Sequence, residues 1–188
     1  MILTGGSSSR FGSDKSSTLF AGETLVNRLL RTLPAGPIVI VGPQFDQSMR
    51  TASFAQENPL GGGPVAAIHA GLMGVTSEFV AIIATDMPFA AEIISSLIAR
   101  TCQSDALFPL DESKRAQMLC GLYRSDSLRE AIVRLGDPAN KSMRALIAEL
   151  TIETLVINPN STAKLLDIDT QADFIYALDL YEREAGGE

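Results

Sequence analysis

The sequence predicts a three-layer α/β/α sandwich built on a mostly parallel sheet, and three observations carry that prediction. Continuous β-branched apolar runs occur at Ile38-Val39-Ile40-Val41-Gly42 and Phe79-Val80-Ala81-Ile82-Ile83-Ala84, the pattern of strands covered on both faces. Segments of helical periodicity alternate with these runs, as in sheets flanked by helices. Composition agrees: hydrophobic residues make up 46%, aromatics 6%, and there is no Trp, which suits an aliphatic α/β core better than a β-sandwich.

The elements follow in order. Only Met1 to Thr4 are available for a first strand, so it starts abruptly and is expected to be short, with a ragged edge or missing upstream residues. A helix is expected from Thr24 to Leu33, then the Ile38–Gly42 strand. Pro64 to Gly74 reads as a helix with Pro64 in its first turn, where the missing N–H costs nothing. The Phe79–Ala84 strand leads to a helix over Ala91–Arg100. Ala106–Phe108 and Gln117–Tyr123 are strand candidates. Helices are expected at Ser125–Leu135, Ser142–Leu150 and Gln171–Arg183, with a frayed tail over 185–188. No repeat or long linker divides the chain, and 188 residues suit one domain spanning 1–188.

Bulk properties exclude some functions. A formal net charge of -7 argues against a general nucleic-acid binder, although local cations can still hold phosphates. The two cysteines, Cys102 and Cys120, have no metal-ligand spacing and are expected to be reduced and packed. No signal peptide precedes the first strand and no apolar run approaches a membrane span, so the expected location is the cytoplasm, with no membrane partner.

The most telling segment is Leu3-Thr4-Gly5-Gly6-Ser7-Ser8-Ser9-Arg10-Phe11-Gly12-Ser13-Asp14-Lys15. A short apolar strand runs into a glycine- and serine-rich loop carrying two cations. Successive N–H groups in such a loop form a concave anion site. Arg10 adds a forked grip on phosphate and Lys15 a compact charge. The expected guest is a polyphosphate. A Walker loop is excluded because Gly12 is followed by Ser13-Asp14-Lys15, and the dinucleotide fingerprint fails at Gly5-Gly6-Ser7. A polar turn without a ligand is the bland alternative.

Carboxylates complete the candidate site. Ala84-Thr85-Asp86-Met87-Pro88 closes the strongest strand, so Asp86 emerges at the same sheet edge as the glycine loop. A carboxylate beside bound phosphates can hold Mg²⁺; position alone equally allows an aspartate serving a helix dipole. Leu166-Asp167-Ile168-Asp169-Thr170 alternates apolar and acidic residues, which predicts a short strand with Asp167 and Asp169 on one face. Thr170 and Asp173 resemble a capping box, which leaves Asp167 and Asp169 unexplained. Asn58-Pro59-Leu60-Gly61-Gly62-Gly63-Pro64 is a second glycine loop, against which a base or ribose could lie, or a plain connection. His69, the single histidine, falls within the following helix and reads as a packed or half-exposed residue rather than a base.

These motifs together resemble the molybdenum cofactor guanylyltransferases, the MobA-like nucleotidyltransferases. Leu3-Thr4-Gly5-Gly6, Arg10-Phe11-Gly12 and Asp14-Lys15 are similar to that family's L-x-G-G-x-x-x-R-x-G-x-D-K signature. Gly63-Pro64-Val65-Ala66-Ala67-Ile68 is similar to its G-P-L/V-A-x-I/L segment, and Ala84-Thr85-Asp86-Met87-Pro88-Phe89 to its D-x-P-F/Y strand end. Asp167-Ile168-Asp169-Thr170 resembles its D/N-x-D/N-T motif. Order and spacing agree over nearly the whole chain.

The resemblance implies a nucleotide-diphosphosugar-transferase-like, Rossmann-like α/β sandwich. It implies a Mg²⁺-dependent transfer of GMP from GTP to the terminal phosphate of molybdopterin, with release of pyrophosphate. Proteins of the same cofactor pathway would be its partners. Carried over by motif, Leu3, Gly5, Gly6 and Gly63 contact the nucleotide, Lys15 and Arg10 bind its phosphates, and Asp86 and Asp169 hold the metal. Asn58 stands where family members often have an aspartate and could still bond to ribose or base. Thr4 replaces the usual alanine. Related nucleotidyltransferases using CTP or another acceptor are the alternative: cytidylyltransferases of the same cofactor pathway resemble the chain too, but typically carry L-A-A-G and lack the Asp before the Lys, and sugar-phosphate or lipid-precursor transferases are further off. A non-catalytic nucleotide-binding subunit is a further alternative, against which the intact set of Arg10, Lys15, Asp86 and Asp169 argues. For the acceptor phosphate the candidates are Lys114, Arg115, Arg124, Lys141 and Arg144. Their default reading is solvated surface. Lys141 and Arg144 are the most suggestive because they open a helix.

Overall fold

The computed structural model describes residues 1–5, 19–45, 50–100, 102–158 and 163–186. Its central sheet has seven strands, β1 (Ile2–Leu3), β4 (Val39–Val41), β5 (Ser53–Ala55), β6 (Phe79–Ala84), β7 (Ala106–Leu110), β8 (Cys120–Arg124) and β9 (Ile152–Val156), in the order β5-β4-β1-β6-β8-β7-β9. β8 runs antiparallel to both neighbours, while β5, β4, β1 and β6 are mutually parallel and β7 is parallel to β9. A small antiparallel hairpin, β2 (Leu19–Phe20) and β3 (Glu23–Thr24), stands apart.

Side-chain alternation along the strands divides the core into two layers. Leu3, Val39, Val41, Val80 and Ile82 face α2 (Pro64–Leu72), α4 (Ser125–Leu135) and α5 (Met143–Ile147) through Val65, Ile68, Leu128, Ile132 and Leu146. Ile2, Ile40, Ile83 and Leu122 face α1 (Leu25–Thr32) and α3 (Ala90–Ile98) through Leu29, Leu30, Ile93 and Leu97. The helices cover both faces, as the strand pattern predicts. Among the described residues no helix is long and apolar enough to cross a membrane. Cys102 and Cys120 are free buried thiols, and burial pushes Cys120 up to about 12.

The Ser125–Leu135 helix and the Phe79–Ala84 strand have the predicted bounds. The Thr24 side chain caps α1 by accepting from the Asn27 N–H at 3.3 Å. Several elements differ. β5, β9 and the hairpin were not predicted: the strands of the hairpin are two residues each, and β9 alternates exposed and half-buried positions as an edge strand. α5 is shorter than the predicted Ser142–Leu150, because Ser142 is its N-cap and Ala148 already its C-cap. The C-terminal helix α6 (Gln171–Ala185) extends two residues past the predicted Arg183, with Gly186 as its C-cap.

Leu166–Thr170 is not a strand: it follows a 3₁₀ turn at Ala163–Leu165 and pairs with no strand. The alternation there has another cause. Ile168 is buried with Phe20, Leu25, Phe89 and Ala177 in a separate apolar cluster under α6, while Asp167 and Asp169 stay exposed. The Thr170–Asp173 capping box then starts α6. Lys164 anchors the segment from the other side. Its nearly buried Nζ lies 2.6 Å from Glu92 of α3 and 2.6 Å from Glu184 of α6. Burial works against its charge, but the two carboxylates outweigh that and hold its pKa above the ordinary lysine value.

Candidate active site

In the parallel half of the sheet all strands end at one edge, and the chain turns there repeatedly through glycine, proline and carboxylate. That edge is the ligand-binding side of open α/β sheets. β1 delivers Thr4 and Gly5. Thr4 continues the ladder by donating from its N–H to Val41 O at 2.9 Å, and its hydroxyl donates to the same oxygen at 3.0 Å. Gly42 makes room for it: its φ is 142°, and a Cβ there would fall 2.0 Å from Thr4 Oγ1. Leu3 is buried with its side chain in the core, and its carbonyl accepts from Thr85 N at 3.1 Å and Thr85 Oγ1 at 2.7 Å.

Thr85 thereby ties the end of β6 to the end of β1 and fixes the backbone on which Asp86 stands. Asp86 is half-buried, and its carbonyl accepts from Ile168 N at 2.9 Å. One backbone hydrogen bond thus joins the Asp86 turn to the Asp167-Ile168-Asp169 segment, 82 residues later in the chain. Pro88 is held in turn. Its carbonyl accepts from Arg28 Nε at 2.8 Å, and the buried Arg28 guanidinium lies 4.7–5.4 Å from the ring centres of Tyr181, Phe20 and Phe89. Arg28 therefore links the Asp86 turn, the hairpin and α6. Nothing in the sequence reading singled it out, because a charged residue at a buried helix position is identified only by its partners.

The second glycine loop lies on the other side of β1. Gly63 caps α2 at φ 87°, a conformation suited to glycine, and Pro64 follows as the first helical residue. Gly62 accepts from Asn140 N at 2.7 Å, and Lys141 O lies 4.0 Å from where a Cβ on Gly63 would sit, so the Asn140–Lys141 turn packs on this loop. Asn58 is exposed at the loop's start. Its neighbour Glu57, also absent from the sequence reading, is half-buried and accepts from Gly61 N at 3.3 Å through Oε1. The same oxygen lies 3.6 Å from the position of a Cβ on Gly5, so Glu57 sits close to both glycine segments.

Gly6, Arg10 and Lys15 lie outside the described residues. Lys114 and Arg115 follow the carboxyl end of β7, in a turn held by Asp111, at the same edge as Asp86. Arg124 is at the opposite edge, which removes it from the acceptor candidates: it pairs across from Phe79 at the start of β6. A cavity of about 550 Å³ opens there, lined by Glu78, Phe79, Arg100 and Arg124 among others. His69 is exposed on α2. Among the described residues no group of three or more His, Cys, Asp or Glu could hold a metal by itself.

A nucleotide-binding α/β protein of the transferase type is what this fold and edge define. The MobA-like NTP transferase domain matches residues 1–154, and the chain belongs to that family of nucleotidyltransferases. A probable molybdenum cofactor guanylyltransferase of Mycolicibacterium paratuberculosis is 31% identical over 182 residues, 92% of this chain and 91% of the relative. One from Natronomonas pharaonis is 29% identical over 188 residues, covering 92% and 93%. Among solved structures, molybdopterin-guanine dinucleotide biosynthesis protein A of Archaeoglobus fulgidus superposes with a TM-score of 0.69 at 22% identity, covering 97% of both chains, which establishes the fold.

Proposed function

We propose that this protein transfers GMP from GTP to the terminal phosphate of molybdopterin. An oxygen of the acceptor phosphate forms a bond to the α-phosphorus as the α–β bridging bond breaks, and pyrophosphate leaves. The acceptor is already a nucleophile, so no strong base is required, which accords with a site edge that carries no histidine. Catalysis of this kind rests on alignment and charge stabilisation. Lys15 and Arg10 would hold the nucleotide phosphates, with the backbone of Leu3, Gly5, Gly6 and Gly63 against the nucleoside and Asn58 in reach of ribose or base.

The observation that carries the reading is the Ile168–Asp86 hydrogen bond, which places two acidic segments at the strand end beside the Gly5 loop. Asp86 and Asp169 supply hard oxygen donors of the sort Mg²⁺ takes alongside substrate phosphates, and too few of them to cage the ion without a substrate. When bound, Mg²⁺ would neutralise charge on the α-phosphate and the departing pyrophosphate.

Calorimetric titration with GTP, CTP, ATP and UTP in Mg²⁺ tests the substrate. Preference for GTP is expected, followed by pyrophosphate release when molybdopterin is added. Preference for CTP would reassign the base and acceptor, and absence of any nucleotide binding would make the chain a non-catalytic relative.

A further inference from the structure

We infer that the cavity at the amino edge of the sheet is a second ligand site, which takes a small organic anion with an apolar body. Its floor is the face of β6 and β8 on which α3 packs. Phe79, Ala81 and Leu122 belong to one apolar cluster on that face with Ile83, Cys120 and the α3 residues Ile94 and Leu97. α3 ends at Ile98, which lines the cavity as an apolar side chain 53% exposed. Ala81 is too small to fill the space beside it, and a hollow of about 550 Å³ is left. That is room for a small molecule. The hollow is remote from the proposed nucleotide site, because β6 starts at Phe79 and leads into Asp86 only at its other end.

Charge on the lining selects the ligand. Arg124, Glu78 and Arg100 all border the hollow. Arg124 is engaged: it pairs with Glu78, and its guanidinium lies 4.5 Å from the centre of the Phe79 ring. Arg100, just past the end of α3, is exposed and enters no ion pair with the described residues. Asp105 and Glu153 act on the nearby Cys102 thiol, but their carboxylates are taken up by Ser127, Thr151 and Ser104. An acid group on a ligand would therefore find its counter-charge in Arg100, whose forked guanidinium suits an oxyanion. The Gln103 side chain, also on the lining, can add an amide N–H. The body of the ligand would lie on Ala81, Leu122 and Ile98 and gain from the apolar area it removes from water. A bare inorganic anion has no such body, and a neutral molecule leaves Arg100 unused.

The plain alternative is a solvated arginine near a helix carboxyl end, where the dipole favours a cation, beside a hollow that takes water alone. Fluorescence titration with anilinonaphthalene sulfonate, an aromatic body with one acid group, separates the two. Phenylnaphthylamine is its uncharged counterpart, and each probe is titrated with and without GTP and Mg²⁺. The wild-type chain should bind the sulfonate one-to-one whether or not GTP is present. It should bind it roughly 10-fold tighter than the uncharged probe, in line with one charge-assisted contact. Arg100→Glu should weaken the sulfonate roughly 10-fold or more and leave the uncharged probe unchanged, which also shows that the cavity is intact in the variant. Ala81→Phe should abolish binding of both probes by filling the floor, with a melting curve to check its fold. Arg100 is exposed, so its variant decides the matter even if Ala81→Phe does not fold. The inference is overturned if wild type binds neither probe or binds both equally. It is also overturned if GTP displaces the sulfonate, or if either folded variant keeps wild-type affinity for it. None of these outcomes touches the guanylyl reading, which rests on the nucleotide titration at the carboxyl edge.

Discussion

The two ends of β6 handle charge in opposite ways. At its amino end, ionic groups are satisfied by side chains. Arg124 is paired with Glu78 and stacked over Phe79. Asp105, at the start of β7, accepts from Ser127 Oγ at 2.5 Å and from the N–H and hydroxyl of Thr151 at 2.9 and 2.7 Å. At the carboxyl end it is the backbone that is fixed. Leu3 O, Asp86 O and Pro88 O each receive a donor from a distant element, which fixes the main chain on which Asp86 stands. At the first end side-chain charge holds the fold, whereas at the second the bonds on these carbonyls fix the main chain of the proposed site.

The largest effect should come from breaking the second arrangement at its tip. Asp86→Ala should lower turnover by about 10²- to 10³-fold, the usual cost of removing one charge stabiliser. The variant should remain folded, because Thr85, Arg28 and Ile168 hold this turn through Leu3 O, Pro88 O and Asp86 O, and a melting curve would check it. Full turnover in Mg²⁺ would remove Asp86 from the metal site.

Next comes the residue beneath that tip. Arg28→Ala deletes a buried side chain packed against Phe20, Phe89 and Tyr181 and leaves Pro88 O without its donor. A loss of about 3 kcal/mol in unfolding free energy is expected. If the backbone frame positions Asp86, turnover of the folded fraction should fall as well, with nucleotide affinity changing less. Unfolding in urea together with steady-state rates below the melting range would check both. A destabilised protein with wild-type turnover would show that Arg28 supports the fold alone.

How much of this was legible in the sequence follows from the same division. The sheet, its helices and the place of Asp86 could be read because they rest on local periodicity and on a strand end marked by proline. The alternation at Leu166–Asp169 was misread as a strand because Ile168 is buried against α6 and the hairpin, not against a sheet. Alternate burial alone does not distinguish the two. β5 and β9 were missed because each is an edge strand with few buried residues. Arg28 escaped notice because its role comes from partners far apart in sequence, and Glu57 because only the fold brings it near Gly5. Arg124 was wrongly grouped with the acceptor candidates, since sequence does not reveal that β8 runs against its neighbours and turns that residue to the other edge.

A smaller effect is expected at the amino end. Hydrogen bonds from Ser127 and Thr151 hold the Asp105 carboxyl below its ordinary 3.8. A carboxylate depressed in the folded state adds stability above its unfolded pKa and loses it as pH falls through the folded value. Asp105→Asn should therefore cost about 1 kcal/mol near neutral pH, small because the group is partly solvated. The gap to wild type should begin to close as pH falls below about 4 and vanish once pH has passed the folded pKa, where both are neutral. Melting curves from pH 7 to 3 would decide it, and a gap that stays constant would mean the charge contributes nothing.

The smallest effect is the sharpest test of the contrast. Arg124 and Glu78 are partly exposed, with side chains 32% and 70% accessible, so Arg124→Ala should cost less than about 1 kcal/mol. Its consequence for nucleotide binding should be nil. β6 spans six residues, roughly 20 Å of strand, and a charge that far from the carboxyl edge is screened at about 8 Å in physiological salt. Matching removals at the carboxyl edge, Lys141→Ala and Arg115→Ala, should by contrast weaken binding of a phosphate-bearing acceptor. If Arg124→Ala weakened GTP or acceptor binding as much as they did, the two ends of β6 would not be functionally distinct, and the cavity beside Phe79 would have to be counted as part of the site.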